Sequence, residues 1–272
     1  MGARVSGSGR GSNGLALSTH TFTHILPKIF RPRIGESMNL KSLQDLDSVS
    51  AKIRISEDEL FDEWRIVSPK MVRDGAVSPE AYAASDLKVM LILKEVNDPG
   101  GGGWDLRNVL REGKRAQTWT NVARWMRGIH AMPEDLPWRE LEPITTEDRR
   151  ELLSSIAVIN LKKEPGGHTS IGGEIAAAAG ERGTLLRQQF SIYDPDLVIF
   201  CGTAGAGTSV LFPDVGPKWK KTSRGVSYAS FGDGKTMISF SHPEARCPSP
   251  FIVYGLLDAV REIFEPSSSD NS

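Results

Sequence analysis

Cysteine is nearly missing from this chain, with only Cys201 and Cys247 among 272 residues. Two thiols cannot build a disulfide framework or, by themselves, a four-thiolate zinc or iron–sulfur site. A reducing cytoplasm is the compartment expected. Long apolar runs are missing too: none approaches the roughly 18 residues of a membrane span. There is no excess of charge of one sign, since 33 Lys and Arg face 34 Asp and Glu for a net charge of -1. Global attraction to a polyanion is therefore not expected, and any nucleic-acid site must come from local segregation of the basic residues. What remains is 39% hydrophobic and 25% charged. That balance excludes a wholly disordered, collagenous or coiled-coil chain and leaves an ordinary globular protein.

Residues 1–37 mix Gly, Ser, Thr, His, Pro and Arg without periodicity and lack the apolar core of a secretory signal. They read as a disordered basic arm, with Met38 as an alternative start of translation. Residues 38–265 carry the patterned sequence of one domain, and 266–272 form a polar tail. Ser56 followed by Glu59 has the form of a capping box opening a helix through Leu60, Phe61, Trp64 and Ile66. Thr118 to Ile129 has amphipathic helical spacing, with Trp119 and Trp125 expected in the core. Gly183 to Tyr193 and Pro250 to Phe264 also read as helices. Val89 to Leu93, Ile156 to Asn160, Leu197 to Cys201 and Met237 to Phe240 are apolar runs too short for helices, as strands buried on both faces would be. Strands separated by helices predict a three-layer α/β/α sandwich around a mainly parallel sheet of four to five strands.

Such sheets carry their chemistry just beyond the carboxyl ends of the strands. The four positions read Lys94-Glu95-Val96-Asn97-Asp98-Pro99-Gly100, Asn160-Leu161-Lys162-Lys163, Cys201-Gly202-Thr203 and Ser241-His242-Pro243-Glu244-Ala245-Arg246. Carboxylates, an amide, a histidine and an arginine are thus expected on one edge. In order, spacing and strand context these motifs resemble the uracil-DNA glycosylase superfamily, over about Leu87 to Phe264. The resemblance implies that a carboxylate of the first motif activates water, that Asn160 reads a flipped base, and that His242 sits beside that base. It also implies that the loop through Pro248 enters the duplex, with Arg246 filling the gap.

The first motif departs from the family. KEVNDPGG lacks the tyrosine that excludes the thymine methyl in the classical enzymes, which implies a roomier pocket and a bulky or modified base. Aligned from the strand end, Glu95 takes the acid position; aligned on the proline, Asp98 does. Asn97 and His168, the latter in PGGHTS, are further candidates for lining the base pocket.

The expected reaction is hydrolysis of an N-glycosidic bond after base flipping, with DNA as partner, a monomeric chain, and no metal, cofactor or membrane. Glu95 or Asp98 would orient water and face the cationic sugar, and His242 would disperse charge on the departing base. The segment Arg107 to Arg127 holds six Lys or Arg against Glu112 alone. Arg107, Lys162 and Lys163 are candidate phosphate contacts, with Thr118, Thr120 and Ser241 as small hydroxyl partners. Lys218, Lys220, Lys221 and Arg224 cluster around Trp219. The run Gly202 to Gly207 invites a dinucleotide reading, but it is not in G-x-G-x-x-G order and Asp214 follows too closely to hold a ribose. His20 and His24 lack further metal ligands.

Overall fold

The computed structural model describes residues 43–264 except 115 and 215. The expected arm at 1–37, Met38 and the tail at 266–272 lie outside the described residues. The chain runs α1 (Leu43–Val67), β1 (Gly75–Ala76), α2 (Pro79–Ala84), β2 (Val89–Leu93), α3 (Leu106–Arg111), α4 (Gln117–Ala131), α5 (Trp138–Leu141), α6 (Thr146–Ser154), β3 (Ile156–Asn160), α7 (Gly172–Glu181), α8 (Gly183–Tyr193), β4 (Leu197–Cys201), α9 (Ala204–Leu211), β5 (Lys220–Lys221), β6 (Ser227–Gly232), β7 (Lys235–Phe240) and α10 (Ser249–Phe264). None of the described helices is long and apolar enough to cross a membrane.

The strands form one mixed sheet in the order β1-β3-β2-β4-β7-β6-β5. Its centre, β3-β2-β4-β7, is parallel, while β1, β6 and β5 join antiparallel at the edges. The described sheet therefore has seven strands where four to five were expected. The additions are two two-residue strands and β6, whose half-exposed pattern lacks the apolar signal of the centre.

Every residue of β2, β3 and β4 is buried because helices cover both faces. Alternation along the strands sorts them. Val89, Leu91, Leu93, Leu197, Ile199 and Cys201 pack with α4 and α10 residues such as Trp125, Met126 and Leu256. Met90, Ile92, Val198 and Phe200 pack instead with Phe61, Trp64, Leu186 and Tyr193 of α1 and α8. Helix α1 corrects the capping-box reading. Ser56 lies inside the helix, because Ile53, Leu60, Phe61 and Trp64 continue one buried stripe through it. Ile66 falls off that stripe and is 82% exposed.

The chain leaves β2 onto the face covered by α3, α4 and α6, but leaves β3 and β4 onto the opposite face covered by α7, α8 and α9. Diverging exits open a crevice at the carboxyl end of β2.

Candidate functional site

A cavity of about 890 Å³ occupies that crevice. Its wall comes from Leu93 to Asn97 after β2, Asn160 at the end of β3, Gly167 to Ser170 in the following loop, and His242, Glu244 and Arg246 after β7. Trp104, Leu106, Val109, Ala116, Thr118 and Trp119 close the helical side. Three of the four parallel strand ends thus supply polar groups to one space.

Register explains several contacts. Leu93 pairs with Asn160 across β2 and β3, and the pairing continues past the sheet, where Lys162 N donates to Lys94 O at 2.9 Å. Glu95 therefore stands opposite Lys162, whose ammonium lies 2.5 Å from its carboxylate. Gly166 packs against that carboxylate so closely that a Cβ there would collide with it. The loops stay laced together farther out, where Gly166 N donates to Val96 O at 2.8 Å and Asp98 N to Gly166 O at 3.0 Å. Asn97 Nδ2 meets His168 Nδ1 at 3.1 Å, so these two pocket residues form one unit.

Asn160 is buried and its orientation is fixed. Both its backbone N and its Nδ2 donate to Asp74 Oδ2, at 2.8 and 3.1 Å. A carboxylate only accepts, so the amide nitrogen must face Asp74, and the amide oxygen has no hydrogen-bond partner among the described residues. Asp74 also accepts from Lys163 Nζ at 2.7 Å and from Gln189 Nε2 at 2.8 Å. This hub is buried. Burial pulls the Lys163 pKa down while the Asp74 charge pulls it up.

His242 hangs from the end of β7 in a loop fastened to α4. Asn121 Nδ2 donates to Pro243 O at 2.7 Å, Thr118 Oγ1 to Glu244 Oε2 at 2.8 Å, and Gln117 Nε2 to Ser249 Oγ at 3.0 Å. The backbone N of Glu244 donates to His242 Nδ1 at 3.1 Å. Nδ1 is therefore unprotonated, which leaves Nε2–H as the donor of a neutral ring. Burial lowers the His242 pKa below the usual imidazole value; Glu244 opposes this and Lys94 adds to it.

The two carboxylates left open by the sequence are separated by the structure. Glu95 lines the cavity. Asp98 Oδ2 instead accepts from Gly102 N at 2.9 Å and Trp104 Nε1 at 2.8 Å, anchoring the glycine run behind the wall.

Two of the expected phosphate contacts are corrected. Arg107 is 6% exposed. Its guanidinium grips Asp105 and Glu57, and Glu57 in turn accepts from Tyr193 Oη at 2.8 Å. Burial disfavours its charge, but Asp105 and Glu57 more than offset that and raise its pKa. Lys163 is 1% exposed and committed to Asp74. Both are interior ion pairs with acids 50 and 89 residues away along the chain, which a charge count cannot reveal. Lys162 is occupied by Glu95. Thr118 and Arg246 line the cavity, whereas Thr120, half-buried, and Ser241, exposed, lie outside its wall. Trp125 is buried with Nε1 donating to Ile252 O at 3.1 Å, and Trp119 is core that also reaches the cavity.

The run after Gly202 opens helix α9, where Gly207 packs directly on the Phe200 ring. Close helix–strand approach accounts for that glycine. No group of three or more metal-binding side chains occurs among the described residues.

Sequence reasoning missed Asp74, Gln189 and Lys94. Asp74 precedes a two-residue strand with no apolar pattern, so nothing local marks it. Lys94 stood at a strand end and was open to the same rule that selected Glu95.

On the opposite flank, β5 pairs with β6 and β6 with β7, so Lys221 is level with Ser227 and Ser239. Lys218, Lys220 and Lys221 are exposed and have no ion-pair partner among the described residues, and Trp219 is 37% exposed. Arg224 is held by Asp258 at 3.1 Å. Two strand spacings place Lys221 about 10 Å from β7 at the end of the sheet that carries the cavity.

No protein-family model and no curated protein matches the chain.

Proposed function

We propose that the chain is a DNA glycosylase of the uracil-DNA glycosylase type, hydrolysing the N-glycosidic bond of a flipped uracil-like or modified pyrimidine to leave an abasic site. The observation that carries the reading is the meeting of Glu95, Asn160 and His242, from three parallel strand ends, around one cavity. The amide oxygen of Asn160 accepts from the base edge and the Nε2–H of His242 donates to it, a complementary pair for a ring bearing both a donor and a carbonyl. Glu95 orients the attacking water and faces the developing sugar cation. A volume near the top of the range for small-molecule pockets supports a base larger than uracil. That leans toward defence against phage carrying modified, for example glucosylated, cytosine, with base-excision repair as the other role. The basic edge at Lys218, Lys220 and Lys221 supports a DNA partner engaged beside the cavity.

A second reading, a non-catalytic DNA-recognition module on the same fold, is favoured by one observation: both candidate carboxylates already have partners, Glu95 in Lys162 and Asp98 in Trp104. One experiment separates the readings. Oligonucleotides and phage DNA carrying different bases are incubated with the protein and heated in alkali. Strand breaks at one class of base are expected; binding with no break on any substrate selects the recognition module.

A further inference from the structure

Lys94 is the half-buried charge of the cavity that has no partner among the described residues; Arg246 in the same wall also has none but is exposed. The neighbours of Lys94 are settled: Glu95 is paired with Lys162 at 2.5 Å, Glu244 accepts from Thr118 at 2.8 Å, and Asn97 meets His168 at 3.1 Å. The Lys94 ammonium has neither a hydrogen bond nor an ion pair among the described residues, although its side chain is half-buried in the wall. Continuing the β2–β4 register from Ile92 opposite Phe200 sets Lys94 opposite Gly202. There its Cε lies 4.0 Å from where a Cβ of Gly202 would stand, and the His242 backbone N is 3.9 Å from the same point. The absent side chain at Gly202, with φ of 71°, leaves the lysine stem a path between β4 and the His242 loop.

An unpaired ammonium in a cavity wall is placed to donate a charge-assisted hydrogen bond to an anionic group of a bound ligand. Resting on the glycosylase reading, we infer that Lys94 is a catalytic residue that stabilises the departing base as an anion, and that the substrate base is one that leaves with its charge on a ring carbonyl oxygen. When the C1′–N bond breaks, its electron pair goes with the base. Water forms the new C1′–O bond and gives up its proton, and the base anion is protonated afterwards from solvent. Lys94 keeps its proton throughout and donates a hydrogen bond to the carbonyl oxygen, beside the Nε2–H of His242. Two donors directed at one developing anion, one of them charged, form an oxyanion-type arrangement in a partly dry pocket.

The test compares wild type, K94M and K94R on oligonucleotides carrying the base that wild type releases and a ring-activated derivative of it (5-fluoro where C5 is unsubstituted, 6-aza where C5 carries the modification), whose anion is the better leaving group. K94M is expected to lower kcat about 10²- to 10³-fold with little change in KM. The loss should shrink on the activated substrate, and K94R should recover most of it. An equal loss on both bases, or a loss confined to KM as a phosphate contact would give, overturns the inference. So does a covalent protein–DNA adduct trapped by borohydride, which would make the amine a nucleophile. If K94M equals wild type, Lys94 is excluded while the glycosylase reading stands; if wild type itself releases no base from any DNA, the reading and the inference fall together.

Discussion

Asn160 Nδ2 donates to Asp74 Oδ2 at 3.1 Å, and the same carboxylate accepts from Lys163 Nζ at 2.7 Å. One buried aspartate thus orients the amide at the cavity wall and neutralises the ammonium beneath it. Removing it exposes both costs. Asp74→Ala leaves an uncompensated buried charge and is expected to lose about 3–5 kcal/mol of stability. Adding Lys163→Met in that background should recover part of the loss, because the orphan charge goes with it. Urea denaturation of the two variants measures this; a single variant as stable as wild type would show that Asp74 is not the hub.

The two carboxylates of the first motif should separate kinetically. Glu95→Gln keeps the shape of the wall but removes the charge facing the sugar and the water, so base release should fall by about 10²- to 10⁴-fold. Asp98→Asn weakens the bonds to Gly102 and Trp104, so it should cost about 1–3 kcal/mol of stability with a smaller effect on rate. Single-turnover rates alongside thermal melts decide between them, and equal damage to the rate from both would contradict the assignment.

His242 should make activity and stability fall together in acid. Its folded pKa is lowered by burial, with Lys94 adding and Glu244 opposing. The unfolded chain then binds more protons than the folded one just below the usual imidazole value. Stability is fully present above about pH 6.5 and is lost as pH falls through the lowered folded value. The base-release rate should follow the neutral fraction of the ring over the same window. Replacing His242 with Gln should flatten both profiles; unchanged profiles would assign the titration to another group.

The lysines at the β5 edge should act on DNA affinity rather than chemistry. Substituting Lys218, Lys220 and Lys221 with Gln is expected to reduce the slope of log affinity against log salt by roughly 2–3, near 0.9 per phosphate contact. Base release at saturating DNA should be unaffected. Anisotropy titrations between about 50 and 200 mM salt check this. If these lysines only guard an exposed strand edge, the slope stays the same and the variant aggregates instead.

The amino-acid sequence by itself determined the core of the fold. Val89–Leu93, Ile156–Asn160 and Leu197–Cys201 form strands with the bounds their apolar runs imply, because a strand buried on both faces admits only apolar residues between its polar flanks. Together with the end of Met237–Phe240, those ends pointed to Glu95, Asn97, Asn160, His242 and Arg246, which share one cavity wall with His168, singled out in PGGHTS, and Thr118, expected at a phosphate. Tertiary structure decided what each charge does. Arg107, Lys162 and Lys163 are alike in sequence as basic residues near strand or helix ends, yet two are buried and all three are paired to acids, while Lys94 has no partner among the described residues. Those partners, Glu57 and Asp74 among them, lie 50 and 89 residues away along the chain. Coulomb energy depends on distance and burial in space, and neither is set by the spacing of residues along a chain.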